Sequence, residues 1–146
     1  MEDIEIDGGL SIDIKPKNGC IESKNIIECE IEFMFDYDST DMGHYVLKSK
    51  LYKDNIKGIY EINGDQKEFE ASIRFYKEIQ KIIDKNHLIT LNGMVKNRCG
   101  LPEFSGSYMS VLYKSNECLY FKDNEDNHLG FEICREFINL FKKYCK

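Results

Sequence analysis

The sequence predicts an α+β fold with two layers, in which a mostly antiparallel sheet carries two amphipathic helices on one face. Several runs alternate apolar and polar residues, which is typical of half-buried antiparallel strands. Two other segments repeat apolar residues at steps of three and four, which is typical of helices with one apolar side. Because each helix has a single apolar side, the economical packing places both on the same face of the sheet. A sheet curled into a half-barrel around the helices is the alternative.

The whole chain, residues 1–146, is predicted to form a single globular domain. A chain of this length buries about two-thirds of its unfolded surface on folding, so it needs neither a metal ion nor a disulfide to be stable. Its sequence contains no low-complexity linker and no sharp change of composition that would divide it into domains.

The first half of the chain is predicted to be rich in strands. Residues 4–16 have the pattern of a hairpin, and Asn18-Gly19 reverses the chain again. Residues 26–37 form the clearest strand, and residues 44–53 form another after a polar loop. The strand at 26–37 separates two kinds of side chain, with Cys29, Ile31, Phe33, Phe35 and Tyr37 on one face and Glu28, Glu30, Glu32, Met34 and Asp36 on the other.

A first helix is predicted to follow a short strand at residues 58–62. Asp65 and Glu68 have the spacing of a capping box, which marks the beginning of a helix. The helix is expected to end near Lys85, and residues 88–95 are then expected to form a strand. The apolar face of this helix consists of Phe69, Ile73, Phe75, Tyr76, Ile79, Ile82 and Ile83.

The C-terminal region repeats the same plan. Residues 108–113 and 118–121 are predicted to form a hairpin, and the final helix begins at Phe131 with an apolar face that runs to Cys145. Residues 45–85 and 107–146 therefore share the order strand, turn, strand, helix. An internal strand-strand-helix duplication explains this likeness, and so does convergence on a common pattern.

The composition favours a cytoplasmic protein. No apolar run approaches the eighteen or so residues that span a bilayer, and the acidic N-terminus lacks the features of a signal peptide. The six cysteines have no C-x-x-C spacing. We therefore expect reduced cysteines that act as small buried hydrophobes.

The sequence contains no recognisable catalytic motif, so we expect neither an enzyme nor a bound cofactor or metal. The acidic loops that begin at Asp36 and Asp123 lack the glycine that an EF-hand requires at its sixth position. Two residues keep an enzyme as a third alternative. His44 is close in sequence to several carboxylates, and Cys99 is beside Arg98 in a loop that contains Gly and Pro.

Charge is distributed unevenly along the chain. Residues 1–41 contain 12 acidic residues and 3 lysines, a net charge of −9, whereas residues 42–146 contain 14 acidic and 17 basic residues, a net charge of +3. In the strand at 26–37 the alternation also places the carboxylates on one face. Such a surface repels phosphates and attracts basic protein surfaces. Carboxylates that only keep the face soluble are the alternative explanation.

These observations lead to the hypothesis of a protein-binding module that neutralises a basic protein partner. The partner would be a toxin, for which this chain is the immunity protein, or a defence enzyme that a phage-encoded inhibitor blocks. Nucleic acid is not an expected partner, because the helix lysines are interleaved with glutamates, and neither is a membrane. The oligomeric state stays open. The predicted contact surface consists of Glu28, Glu30, Glu32, Asp36, Asp38 and Asp41.

A small-molecule sensor is the second hypothesis. It needs a pocket between the sheet and the helices, with convergent polar groups in an otherwise apolar lining. The predicted lining of that pocket is Tyr45, Tyr76, Tyr108, Tyr120 and Phe104.

Overall fold

The computed structural model describes residues 21–37, 40–97 and 106–145. Within them the elements follow the order β1 (Ile26–Phe35), β2 (Gly43–Tyr52), β3 (Asn55–Ile62), β4 (Asp65–Ala71), α1 (Arg74–Lys85), a 3₁₀ helix (Leu88–Leu91), β5 (Val95–Lys96), β6 (Ser107–Tyr113), β7 (Cys118–Asp123) and α2 (Gly130–Tyr144). None of the helices in this described part is long and apolar enough to cross a membrane. The predicted hairpin at residues 4–16 lies outside the described residues.

The strands of the described residues form one open sheet in the order β4-β3-β2-β1-β6-β7-β5. Neighbouring strands are antiparallel, except that the short β5 runs parallel to β7. β1 lies at the centre, where Glu30 is opposite Lys48 of β2 and Ser110 of β6. The α+β prediction with a mostly antiparallel sheet is confirmed.

Both helices pack on one face of the sheet, which we call the inner face. Ile31, Phe33 and Phe35 of β1 point to it and have no solvent exposure. The ring of Phe75 in α1 lies 5.1 Å from that of Phe141 in α2, which brings the two helices together over the sheet. Alternation along each strand sends the intervening side chains to the opposite, outer face. The predicted placement of both helices on one face is therefore confirmed.

The predicted beginning of the first helix is wrong. Residues Asp65–Ala71 form β4, which pairs with β3, and α1 begins only at Arg74. Asn63 and Gly64 both have positive φ angles, which is the geometry of a tight hairpin turn between β3 and β4. Phe69 therefore belongs to a strand, and its ring lies over Gly58, where any Cβ would come within 2.1 Å of that ring.

The region after α1 also differs from the prediction. In place of one strand over residues 88–95, the structure has a 3₁₀ helix at Leu88–Leu91 and a strand of only two residues, Val95–Lys96. His87 adopts the left-handed conformation before the 3₁₀ helix. Backbone hydrogen bonds between residues 90–94 and their neighbours replace the ladder of a longer strand.

The internal duplication stays a prediction. Two strands, β6 and β7, precede α2, whereas three strands, β2, β3 and β4, precede α1. The two halves flank β1 on opposite sides of the sheet. The C-terminal unit thus keeps the predicted plan, and the earlier unit has one additional strand.

Candidate functional site

Three of the six predicted contact residues lie together on the outer face. Glu28, Glu30 and Glu32 are consecutive outward side chains of β1, and we call them the acidic row. β1 is the central strand, so the row crosses the middle of the outer face. Neither helix covers this face. Glu28 is exposed, and the side chains of Glu30 and Glu32 are 40% and 30% exposed.

Basic residues of β2 accompany the acidic row on one side. Glu28 is opposite Lys50 and Glu30 is opposite Lys48, in the antiparallel register of β1 and β2. The Lys48 ammonium is 3.9 Å from the Glu30 carboxylate. Further along, the Nε2 atom of His44 lies 2.6 Å from the carboxylate of Glu32. The surface around β1 is therefore a set of parallel charged rows, and it is not uniformly acidic.

The pattern continues to the edge of the sheet. Lys57 of β3 lies beside Lys50, and the ammonium groups of both are within 5.8 Å of the centre of the Tyr52 ring. β4 then contributes a second acidic row, Glu68 and Glu70. These rows line an open groove of about 700 Å³, which we call the charged groove. The lysines of β2 and β3 lie between its two acidic rows.

The opposite side of the acidic row is far less charged. Glu32 is opposite Tyr108 of β6, and the Tyr108 ring contacts that of Tyr120 edge to face at 5.7 Å. Burial raises the pKa of both phenols above the ordinary value. The outer face thus changes across β1 from charged to aromatic.

Of the other predicted contact residues, the structure describes Asp36 and Asp41. Asp36 is exposed just after β1, and Asp38 lies outside the described residues. Asp41 pairs with Arg135 and with Lys142, whose Nζ atom is 3.3 Å from its carboxylate. Hydrogen bonding from Arg135, supported by Lys142, lowers the pKa of Asp41 below its ordinary value. Asp41 therefore connects the β1–β2 loop to α2 on the helix side of the sheet.

Within the described residues, Asp123, Asp126 and His128 are the group of side chains that could hold a metal ion, since one ligand atom from each lies within 4.8 Å of the others. Hydrogen bonds already occupy most of the roughly four lone pairs of the Asp123 carboxylate. Its Oδ1 accepts the backbone N–H groups of Glu125 and Asp126, and its Oδ2 is 2.8 Å from Nε2 of His128. The group therefore acts as the turn that leads into α2.

The cysteines of the described residues are all free. Cys29 and Cys134 are buried, as predicted, and burial raises the pKa of Cys29 and brings that of Cys134 to about 12. Such thiols are unreactive near neutral pH. Cys20 and Cys99 lie outside the described residues.

The structure does not bring the predicted aromatic pocket together. Tyr45 and Tyr76 are buried on the inner face, whereas Tyr108 and Tyr120 lie on the outer face. Phe104 lies outside the described residues. The sequence prediction missed a different cavity, of about 260 Å³, which is lined by Gln80 of α1. The signal for it was a glutamine on an otherwise apolar helix face.

Comparisons with known protein families, with curated proteins and with solved structures find no match to this chain.

Proposed function

We propose that this protein binds another protein through the outer face of its sheet and thereby neutralises a basic toxin or defence enzyme. The observation that carries the proposal is the acidic row, which lies in the middle of a sheet face that neither helix covers. Carboxylates on a rigid central strand are held in fixed positions, so they favour a partner with matching basic groups.

The charged groove restricts which partner surfaces can bind. Between the acidic row and the acidic residues of β4 lie Lys48, Lys50 and Lys57, and they would repel a uniformly basic surface. A complementary partner has a basic ridge over β1 and acidic groups facing these lysines. Like charges placed opposite each other cost several kcal/mol at an interface, which makes such a pattern selective.

Affinity capture of the tagged full chain from its native lysate, at low and at moderate salt, tests the proposal. The decisive variant reverses the acidic row through Glu28→Lys, Glu30→Lys and Glu32→Lys. We expect a stoichiometric basic protein that the unchanged chain captures at low salt and releases as salt rises, because surface charge pairs are screened. The variant with the reversed acidic row should capture little of this protein. Thermal unfolding of the variant verifies that the fold is intact.

A matched control separates the position of the charges from their number. Asp54→Lys, Asp65→Lys and Glu132→Lys make the same change of net charge at exposed positions outside the acidic row. This control should capture the partner about as well as the unchanged chain. Equal loss in both triple variants, or no loss in either, would contradict the assignment of the acidic row.

A further inference from the structure

The cavity of about 260 Å³ lies between the C-terminal part of α1, the 3₁₀ helix and the strands β6 and β7. Residues 21–24 close one side of it. The carboxylate of Glu117 holds this segment in place, because it accepts the backbone N–H groups of Glu22 and Ser23 at 2.9 Å each. The backbone N–H of Lys114 also donates to the carbonyl of Asn25 at 2.8 Å. The cavity therefore has a fixed wall.

One side of the cavity carries a connected chain of polar groups. The hydroxyl of Tyr113 donates to Oε1 of Gln80 at 2.7 Å, and Nε2 of Gln80 donates to Oδ1 of Asp84 at 3.0 Å. The ammonium of Lys24 donates to the same Oδ1 at 3.2 Å. Within the described residues, the second carboxylate oxygen of Asp84 and the other hydrogens of Lys24 have no partner. Both charged groups can therefore bind a ligand.

The remaining lining is aliphatic apart from Ser23 and His87. Ile21, Ile83, Ile89 and Leu119 contribute the aliphatic part, and Ile83 and Leu119 are buried. At roughly 30 Å³ for each molecule of liquid water, the volume corresponds to about nine waters. A ligand of roughly ten non-hydrogen atoms fits this space.

We infer that the cavity binds a small zwitterion with an aliphatic body, which is the chemistry of a free aliphatic amino acid. Its carboxylate contacts Lys24, its ammonium contacts Asp84, and its side chain lies against the aliphatic lining. A zwitterion with an aliphatic body matches the cation, the anion and the apolar lining together, whereas a neutral ligand uses neither charge and a singly charged ligand uses only one.

The position of Asp84 supports this orientation. It lies in the last turn of α1, where the negative end of the helix dipole favours a cation. The existing pair of Lys24 and Asp84 is no obstacle, because their side chains are 60% and 52% exposed and such pairs are weak. A zwitterion can therefore enter between them and satisfy both.

Calorimetric titration of the full chain with L-leucine tests the inference. Leucinamide lacks the carboxylate, N-acetyl-leucine lacks the ammonium, and glycine lacks the aliphatic side chain. We expect L-leucine to bind and each of the three others to bind at least about tenfold more weakly. Leucinamide and N-acetyl-leucine each lose a charge-assisted hydrogen bond, and glycine loses the burial of the aliphatic side chain. No binding of L-leucine, or binding of leucinamide or N-acetyl-leucine as tight as that of L-leucine, would overturn the inference.

Variants locate the site. Lys24→Met and Asp84→Asn should each weaken L-leucine binding about tenfold or more, whereas Lys77→Met, an exposed change on the same helix, should leave it unchanged. If all three variants bind L-leucine with equal affinity, the ligand binds elsewhere and the inference is overturned. The variant with a reversed acidic row should bind L-leucine like the unchanged chain, so failure of the proposed function and failure of this cavity site are distinguishable.

Discussion

The inner and outer faces of the sheet are made by the same strands but differ in what their side chains do. On the inner face of β1, Ile31 and Phe33 are completely buried under the helices. On the outer face of the same strand, Glu30 lies beside Lys48 and Glu32 beside His44 of β2, and both carboxylates keep substantial solvent exposure. The difference indicates that the inner face provides stability. The outer face carries the charges on which the proposed function rests.

The inner face is not wholly apolar, but its buried polar side chains are hydrogen-bonded. The hydroxyl of Tyr76 donates to Ser49 at 3.0 Å, and the backbone N–H of His128 donates to Ser107 at 3.1 Å. Gln80 and Asp123 are bonded in the same way within their own networks. Buried polar groups with partners cost little, whereas a lost partner is expensive. Perturbations of this face should therefore be large, and perturbations of the outer face small.

The largest effect is expected for Phe75→Ala. Phe75 is fully buried, and the centre of its ring lies 5.0 to 5.3 Å from the ring centres of Phe69, Phe141 and Tyr144. Truncation leaves a cavity between the helices and the sheet, so the free energy of unfolding should fall by about 3–5 kcal/mol. Urea unfolding followed by circular dichroism measures it. Phe131→Ala, at a ring that is 41% exposed, is the matched control and should cost clearly less.

A smaller effect is expected for Tyr113→Phe. The substitution keeps the ring but removes the donor to Gln80, a side chain that is itself buried. An unsatisfied buried acceptor should lower the free energy of unfolding by about 1–3 kcal/mol. Tyr52→Phe, at a half-exposed tyrosine, should change the free energy of unfolding by only a few tenths of a kcal/mol in the same urea experiment. Equal effects of the two substitutions would mean that the bond to Gln80 contributes nothing.

Asp123 should contribute to the loss of stability in acid. Burial alone would raise its pKa, but the N–H groups of Glu125 and Asp126 and the His128 ring lower the pKa to about 2 from an ordinary 3.8. A carboxyl with a lowered pKa in the folded state stabilises the fold above pH 4, and this contribution disappears as the pH falls towards 2.

Asp123→Asn tests this dependence. The variant should be less stable than the unchanged chain at pH 7, and the gap in the free energy of unfolding should shrink between pH 4 and pH 2. Urea titrations across this range measure the gap. Asp65→Asn, at an exposed position, provides the comparison. A gap that is the same at pH 6 and at pH 2 would contradict the assignment.

Local periodicity accounts for what the sequence predicted correctly. The alternation of β1 and the helical spacing of α2 are properties of neighbouring residues, so both elements and the direction of the acidic row could be predicted. β4 could not, because only Phe69 and Ala71 of its residues are buried. Phe69 also fits a helical apolar face, because Ile73 and Tyr76 follow it at steps of four and three. Pairing with β3, a long-range interaction, decides in favour of the strand.

The surroundings of the candidate site depend on contacts between distant segments. The cations beside the acidic row follow from the register of β1 with β2, which the sequence pattern does not specify. Asp41 and Arg135 are 94 residues apart, so their pairing could not be inferred from spacing. The cavity beside Gln80 is assembled from separate segments of the chain. Composition could predict an acidic strand but not the rows of opposite charge next to it.

The smallest effect on stability is expected for the pair Glu30 and Lys48. It tests whether the charged rows of the outer face stabilise the sheet. Their charged groups are 3.9 Å apart and their side chains are 40% and 51% exposed. A double-mutant cycle with Glu30→Gln and Lys48→Met should give a coupling free energy of no more than about 0.5 kcal/mol, and less at high salt. Urea unfolding of the four proteins at two salt concentrations measures it. A coupling above about 1.5 kcal/mol would show that the outer rows stabilise the sheet, and the acidic row would then need no partner to explain it.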